Sequence, residues 1–116
     1  MTPLNYDQAK SLVENYKTKD RIQVLCFINL EKGCPLCTGF LSTPNQFTQL
    51  EDEGIIDVFY IDIKEAYGFF QPPFSFLMQY YIPWVEEQSP QSRGHYLPYP
   101  DMRADFMHWK TTRGVN

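Results

Sequence analysis

The chain has 116 residues, of which 43% are hydrophobic and 16% aromatic, and its formal net charge is −4. This length is enough to bury a core without staples, so we expect one globular domain over residues 1–116. The acidic balance argues against a nucleic-acid binder, which would need a basic surface. No apolar run approaches the ~18 residues of a membrane span and no signal-peptide pattern is present, so we expect no membrane association and a cytoplasmic protein.

The first predicted element is an amphipathic helix near the N-terminus. Asn5 followed by Gln8 is a capping-box pattern, and apolar residues then recur along one helical face until about residues 17–20. These apolar residues are Tyr6, Ala9, Leu12, Val13 and Tyr16. We interpret the helix as a packing element with a charged, solvated opposite face.

The apolar run at residues 22–29 predicts a strand that is buried on both faces. It is too short and too rich in β-branched residues for a free-standing helix. Cys26 lies within this run, and we expect it to be a small buried hydrophobe, because free cysteines are often buried. The strand leads directly to residues 32–37, whose sequence is KGCPLC.

The cysteines of that segment, Cys34 and Cys37, stand where the strand ends and a helical pattern begins. Apolar residues at three- and four-residue spacing predict a helix from about residue 35 to residue 50, kinked at Pro44. Pro35 suits the first helical turn, because its missing N–H would have no partner there. The unpaired amides and the helix dipole would stabilise a thiolate at Cys34, and Cys37 lies on the same helix face within disulfide reach. We therefore predict that Cys34 attacks and that Cys37 resolves.

The next segments predict a second strand and an aromatic stretch. Residues 51–54 are interpreted as a loop, and residues 58–63 as a strand parallel to the first in a right-handed βαβ unit. After the break at Pro72-Pro73, the spacing of apolar residues predicts a short helix that includes residues 74–81. We interpret the aromatic residues of this region mainly as a cover over the sheet. The alternative is an exposed recognition patch formed from Phe69, Phe70, Phe76 or Tyr80.

The C-terminal part predicts two strands and a helix. Residues 82–85 could start a third strand, and residues 94–99 form a fourth, placed at an edge by the prolines at 98 and 100. Asp101 is expected to cap a last helix that ends at Gly114. The buried face of this helix is predicted to be Met102, Phe106 and Trp109.

This order of elements resembles the thioredoxin fold over nearly the whole chain. The resemblance is carried by strand residues 24–28, the C-P-L-C motif at 34–37, the proline-kinked helix, the strand ending at residues 60–62, and Ile82-Pro83. It implies an α/β fold with a central mixed four-stranded sheet and helices on both faces. It also implies a thiol-disulfide oxidoreductase with no cofactor, in which the Cys34–Cys37 pair acts on protein disulfides and is recycled by a reductase or glutathione.

The resemblance also implies which residues contact the substrate. In thioredoxin-like proteins a cis-proline at the start of the third core strand faces the cysteine motif, and Pro83 matches it in this chain. We therefore expect Ile82 and Pro83 to pair with an extended substrate segment, with Pro35 and Leu36 beside them in the motif.

The chain departs from the family pattern in ways that bear on activity. Gly33 stands before the motif where thioredoxins usually have an aromatic residue, and C-P-x-C is nearer to glutaredoxins, whose glutathione-binding Gly-Gly-Asp-type segment is missing here. The buried acid of thioredoxins is replaced by Phe27 or Ile28. Glu31 or Asp62 is a candidate substitute for that acid.

Two other functions stay open at this stage. The chain could be a non-catalytic binding module on a thioredoxin scaffold, with the aromatic residues 67–84 as its surface. A structural zinc site is less favoured, because it needs four convergent ligands and we predict no metal. Its ligands would be drawn from Cys34, Cys37, Cys26, His95 and His108.

Overall fold

A computed structural model of the protein describes residues 1–29, 35–42, 44–66, 76–85, 94–95 and 101–113. Strands and helices alternate along most of these ranges. In chain order they are β1 (Thr2–Pro3), α1 (Tyr6–Asn15), β2 (Ile22–Ile28), α2 (Pro35–Leu41), α3 (Gln46–Asp52), β3 (Ile56–Asp62), α4 (Ile63–Ala66), β4 (Phe76–Tyr81), β5 (Gly94–His95) and α5 (Met102–Thr111).

The strands form one mixed sheet with the order β1-β3-β2-β4-β5. β2 lies at its centre, parallel to β3 and antiparallel to β4. β1 runs parallel to β3 at one edge, and β5 runs antiparallel to β4 at the other. The predicted α/β class and mixed sheet are confirmed. The two-residue strand β1 was not predicted and brings the number of described strands to five.

All seven residues of β2 are buried, and their side chains alternate between two apolar clusters. One cluster holds Cys26 and Ile28 and is covered by α2, α3 and α5. The other holds Leu25 and Phe27 and is covered by α1. Because successive strand residues point to opposite faces, the continuous apolar run requires a cover on each side. Helices lie on both faces of the sheet, as predicted.

The N-terminal helix follows its sequence signals closely. The N–H of Gln8 donates to Asn5 Oδ1 at 2.8 Å, and the N–H of Asn5 donates to Gln8 Oε1 at 2.9 Å, so the predicted capping box is confirmed. Ala9, Leu12 and Tyr16 are buried against the sheet. A short 3-10 turn over Tyr16–Thr18 follows the helix.

The single kinked helix predicted over residues 35–50 is wrong, because the segment forms two helices. α2 ends at Leu41, and α3 begins after Asn45, which caps it: the N–H of Thr48 donates to Asn45 Oδ1 at 3.1 Å. Asn45 Nδ2 also donates to the carbonyl of Phe40 at 2.7 Å, so one side chain closes both helix ends. Pro44 lies between the two helices, where its missing N–H costs no helical hydrogen bond.

The loop predicted over residues 51–54 is also wrong in its first half, because Glu51 and Asp52 belong to α3. The Glu51 carboxylate accepts the N–H of Val58 in β3 at 3.0 Å and contacts the amino group of Met1 at 2.5 Å. An acidic residue opposes the dipole at a helix C-terminus, but these two donors compensate for the unfavourable position. Gly54, with φ of 76°, then turns the chain into β3.

The short helix predicted to include residues 74–81 is wrong, because Phe76–Tyr81 form β4. Met78 and Tyr80 belong to the same cluster as Cys26, whereas Tyr81 belongs to the other cluster. The strand predicted at 82–85 is wrong as well. These residues form a turn after β4, in which the N–H of Val85 donates to the carbonyl of Ile82 at 3.2 Å.

The C-terminal elements agree with the prediction in the described part of the chain. Gly94–His95 form the edge strand β5, while the predicted residues 96–99 and the predicted helix end at Gly114 lie outside the described residues. α5 buries Met102 and Phe106, and Trp109 packs half-buried against the same cluster. Asp101 precedes the helix as expected, but its side chain makes no capping hydrogen bond.

The double cap at Asn45 makes a testable contribution to stability. We expect Asn45→Ala to lower the free energy of unfolding by about 0.5–2 kcal/mol, the range measured for lost N-caps. Gln49→Ala, at an exposed position of the same helix, should change it by less than about 0.5 kcal/mol. Urea denaturation of the two variants checks this, and equal losses would show that the cap contributes nothing.

Candidate functional site

The described part of the cysteine motif lies in the first turn of α2. This helix begins at Pro35, as predicted, and contains Leu36 and Cys37. Cys37 is 3% exposed and belongs to the apolar cluster that includes Ile28 and Phe40. Cys34, the predicted nucleophile, lies outside the described residues.

The cysteines that the structure describes differ in chemical state. Cys37 is disulfide-bonded, whereas Cys26 is a free thiol that is fully buried in β2. The backbone N–H of Asn29, the first residue after β2, donates a hydrogen bond to Cys37 Sγ at 3.3 Å. The sulfur of Cys37 is therefore in direct contact with the end of the central strand.

The surroundings of Cys37 combine a short helix with an apolar cluster. α2 has seven residues instead of the sixteen predicted for a continuous helix, so the helix that was expected to stabilise a thiolate at Cys34 is shorter than predicted. Among the described residues the buried polar side chains are Gln23 and Gln79, so no carboxyl group is buried there. Ionising Cys37 in this apolar cluster would carry a desolvation penalty.

The two residues predicted to stand in place of a buried acid, Phe27 and Ile28, lie in different clusters. Ile28 shares its cluster with Cys37, whereas Phe27 faces α1 on the other side of the sheet. Of the two candidate substitutes, Glu31 lies outside the described residues. Asp62 is next to Ile28 in the sheet register, and its carboxylate accepts the N–H of Lys64 at 3.1 Å.

The placement predicted for Ile82 and Pro83 is wrong. β4 runs antiparallel to β2, so its first residue, Phe76, lies opposite Ile28, and its last residue, Tyr81, lies opposite Gln23. Ile82 and Pro83 follow Tyr81 and lie at the end of the sheet remote from α2. The first and last residues of β4 are five residue steps apart, which corresponds to about 16 Å along the strand. The structure does not bring this pair to the motif.

The aromatic patch is contradicted at Tyr80, the member whose side chain the structure describes. Tyr80 is 2% exposed, and its hydroxyl donates to Asp105 Oδ2 at 2.6 Å. Its ring packs edge-on against Phe106 with centroids 5.1 Å apart. Tyr80 therefore ties β4 to α5. Phe69 and Phe70 lie outside the described residues, as does the side chain of Phe76.

Two neighbouring aromatic residues also have structural roles. Tyr81 donates its hydroxyl proton to Gln79 Oε1 at 2.7 Å, and burial together with nearby Tyr16 raises the pKa of Tyr81. Trp84 Nε1 donates to the carbonyl of Trp109 at 3.1 Å. In the described part of the stretch, the aromatic residues thus form the expected cover over the sheet.

A cavity of about 400 Å³ lies beside α1 and is lined partly by Leu4, Leu12 and Phe59. These residues belong to the cluster under α1, or pack against it, on the face opposite Cys37. The cavity is therefore separate from the cysteine site. In the described ranges, no group of three or more His, Cys, Asp or Glu side chains is arranged to hold a metal ion.

Comparison with known proteins found no matching family model, no similar curated protein and no similar solved structure. None of the helices in the described ranges has both the length and the apolar character that a bilayer span requires.

The hydrogen bond from the Asn29 N–H to Cys37 was not predicted from the sequence, because every residue except proline has a backbone N–H and residue identity therefore gives no signal for it.

Cys26 gives the protein a predictable response to alkaline pH. Burial raises the pKa of this thiol well above its ordinary value, so the folded state holds the proton more tightly than the unfolded state. Its contribution to stability is complete below the unfolded pKa of about 8.5 and is lost as the pH rises. We therefore expect the free energy of unfolding to fall as the pH rises above the unfolded-state pKa of this thiol.

Guanidinium denaturation of the disulfide-bonded protein across this pH range measures the effect. Cys26→Ala is the matched variant: it should be less stable at every pH, but it should lack this alkaline slope. If the variant and the wild type lose stability in parallel, groups other than Cys26 cause the alkaline loss.

Proposed function

We propose that the protein is a thiol-disulfide oxidoreductase of thioredoxin-like fold, in which Cys34 and Cys37 exchange a dithiol for a disulfide with protein substrates. The observation that carries this proposal is the disulfide-bonded Cys37 in the first turn of a helix that follows the central buried strand. A sulfur at the C-terminal end of a central strand is held by a rigid scaffold, as exchange chemistry requires.

The sheet supports the fold part of the proposal. Two parallel strands, β2 and β3, are joined through the motif helix, and β4 and β5 continue the sheet in antiparallel directions before the final helix α5. This is the arrangement that the resemblance to thioredoxins implies. Covers on both faces of the sheet agree with it.

The burial of Cys37 supports the assignment of roles to the two cysteines. Cys37 is only 3% exposed, so a protein disulfide has little access to it, and we assign the first attack on the substrate to Cys34. The Cys34 thiolate attacks one substrate sulfur, the substrate S–S bond breaks, and the released thiolate takes a proton. The Cys37 thiolate then attacks Cys34, which forms the intramolecular disulfide and releases the second substrate thiol.

Two electrons pass to the substrate in this sequence, so the protein must be recycled by a thiol reductant. We propose glutathione or a dithiol reductase as the donor of two electrons and two protons. The cytoplasm, where such donors keep thiols reduced, is the proposed compartment. The substrates are proteins, with Pro35 and Leu36 beside the reacting sulfurs. The net charge of −4 disfavours nucleic acid as a partner.

The position of β4 changes which proline we propose for substrate contact. β4 begins at Phe76, which lies opposite the last residue of β2, whereas Pro83 follows β4 at its other end. In the sequence, Pro72 and Pro73 precede β4, although they lie outside the described residues. We propose that Pro73 takes the role that the sequence resemblance gave to Pro83.

Substitution of the two prolines compares these assignments directly. Pro73→Ala should lower kcat/KM for a protein disulfide roughly tenfold, the effect of losing one or two backbone hydrogen bonds to the substrate. Pro83→Ala should leave kcat/KM near the wild-type value. A larger loss in Pro83→Ala, with folding retained by circular dichroism, would return the role to Pro83.

The proposed activity is tested by titrating the protein in glutathione redox buffers and alkylating it for mass spectrometry. We expect a reversible two-electron transition confined to Cys34 and Cys37, with Cys34 alkylated fastest after reduction. Cys26 is the internal control and should react only on unfolding, because it is fully buried.

Three variants complete this test. Cys34→Ser should abolish the reduction of insulin disulfides, and Cys37→Ser should accumulate a mixed disulfide through Cys34. Cys26→Ala should retain the activity. Wild-type protein with no reversible transition and no activity under any reductant would refute the proposal.

A further inference from the structure

The surroundings of Cys37 present a chemical difficulty for the proposed reaction. Cys37 must carry a negative charge when it attacks Cys34, and again when it leaves as a reductant reopens the disulfide. Its neighbours in the core cluster include Ile28, which is fully buried, and Phe40, which is 5% exposed. An apolar environment disfavours a thiolate and raises the pKa of a cysteine.

One polar group on the described chain is already aimed at this sulfur. The N–H of Asn29 donates to Cys37 Sγ at 3.3 Å, within the distance expected for a bond to sulfur. Asn29 directly follows Ile28, whose backbone is paired to Asp62 on one side and to Phe76 on the other. The donor thus directly follows a residue that is paired on both sides in the sheet, so it is already in place when charge develops on the sulfur.

We propose that the backbone N–H of Asn29 is the group that stabilises the Cys37 thiolate, in place of the buried acid that the sequence lacks. A hydrogen bond to an ionised acceptor is roughly twice as strong as one to a neutral acceptor. The N–H therefore favours the thiolate over both the thiol and the disulfide sulfur. This inference rests on the proposed exchange reaction, because only that reaction requires Cys37 to ionise.

The same hydrogen bond acts in both directions of the reaction. When the Cys37 thiolate attacks Cys34 in a mixed disulfide, a larger thiolate fraction speeds the step. When a reductant thiolate attacks Cys34 of the intramolecular disulfide, the S–S bond breaks and Cys37 leaves with the electron pair, and a leaving thiol of lower pKa leaves faster. The proton that Cys37 gives up or later takes is exchanged with solvent.

Nuclear magnetic resonance on the reduced protein tests the contact itself. In ¹⁵N-labelled Cys34→Ser, where Cys37 titrates without a coupled partner, the amide proton shift of Asn29 should follow pH with the same midpoint as the Cβ shift of Cys37. In the double variant Cys34→Ser, Cys37→Ser, the shift should not follow pH. An Asn29 amide that is insensitive to the ionisation of Cys37 overturns the inference.

A proline at residue 29 tests the effect of the N–H on chemistry. Ile28 is already extended, the conformation required before proline, so Asn29→Pro removes the donor with little demand on the strand. In the Cys34→Ser background, we expect it to raise the pKa of Cys37 by about one unit, a tenfold change in acidity. Asn29→Ala keeps the N–H and should leave this titration unchanged.

The expected kinetic effect is smaller than the change in acidity. Tenfold less thiolate is partly offset by higher nucleophilicity, so Asn29→Pro should slow resolution of a mixed disulfide about threefold to fourfold near neutral pH. The rate is measured in an otherwise wild-type background with a quenched model disulfide. Equal pKa values for the proline and alanine variants would overturn the inference. If Asn29→Pro does not fold, the amide titration decides the question.

These measurements separate the inference from the proposed function. An Asn29 amide that reports the ionisation of Cys37, in a protein that exchanges no disulfide, would refute the oxidoreductase and leave a stabilised thiolate without that role. A protein that exchanges disulfides normally, but whose Asn29 amide ignores Cys37, would keep the oxidoreductase and refute the inference.

Discussion

Burial of β2 on both faces is the constraint on which the rest of the described fold depends. Seven consecutive buried residues cannot be satisfied by one layer of helices, so α1 covers one face and α2, α3 and α5 cover the other. The backbone of β2 must also be paired at both edges, since an unpaired buried amide is costly. β3 and β4 supply this pairing along the whole length of β2.

An element was predictable from the sequence where its residue pattern fitted only one type of secondary structure. α1 has a capping box and apolar residues at helical spacing only, so its type and start were predictable. In β4 nearly every position is apolar, so both helical and strand periods fit, and pairing with β2 decided the outcome. The break between α2 and α3 was missed for a related reason: Asn45 closes both helices through contacts that apolar spacing does not reveal.

In the candidate site, too, local sequence signals were predictive and contacts between distant segments were not. The cysteine spacing and Pro35 placed Cys37 in the first turn of a helix, because both signals are local in sequence. Pro83 was predicted to face the motif from its spacing along the chain after Cys34. This prediction was wrong because β4 comes before Pro83 instead of starting at it. The contact between Asn29 and Cys37 depends on how the end of β2 meets α2, and it follows from the fold alone.

The hydrogen bond from the Val58 N–H to Glu51 bears on whether β3 can pair with a strand of another molecule. β1 pairs with Phe59 and Tyr60 of β3, and among the described residues no strand pairs with the outer edge of β3 before Phe59. Val58 lies on that stretch, and its N–H is already taken by the Glu51 carboxylate. A strand from another molecule would have to displace this carboxylate, which also pairs with the Met1 amino group, before it could bond to the Val58 N–H, so Glu51 opposes edge-to-edge aggregation.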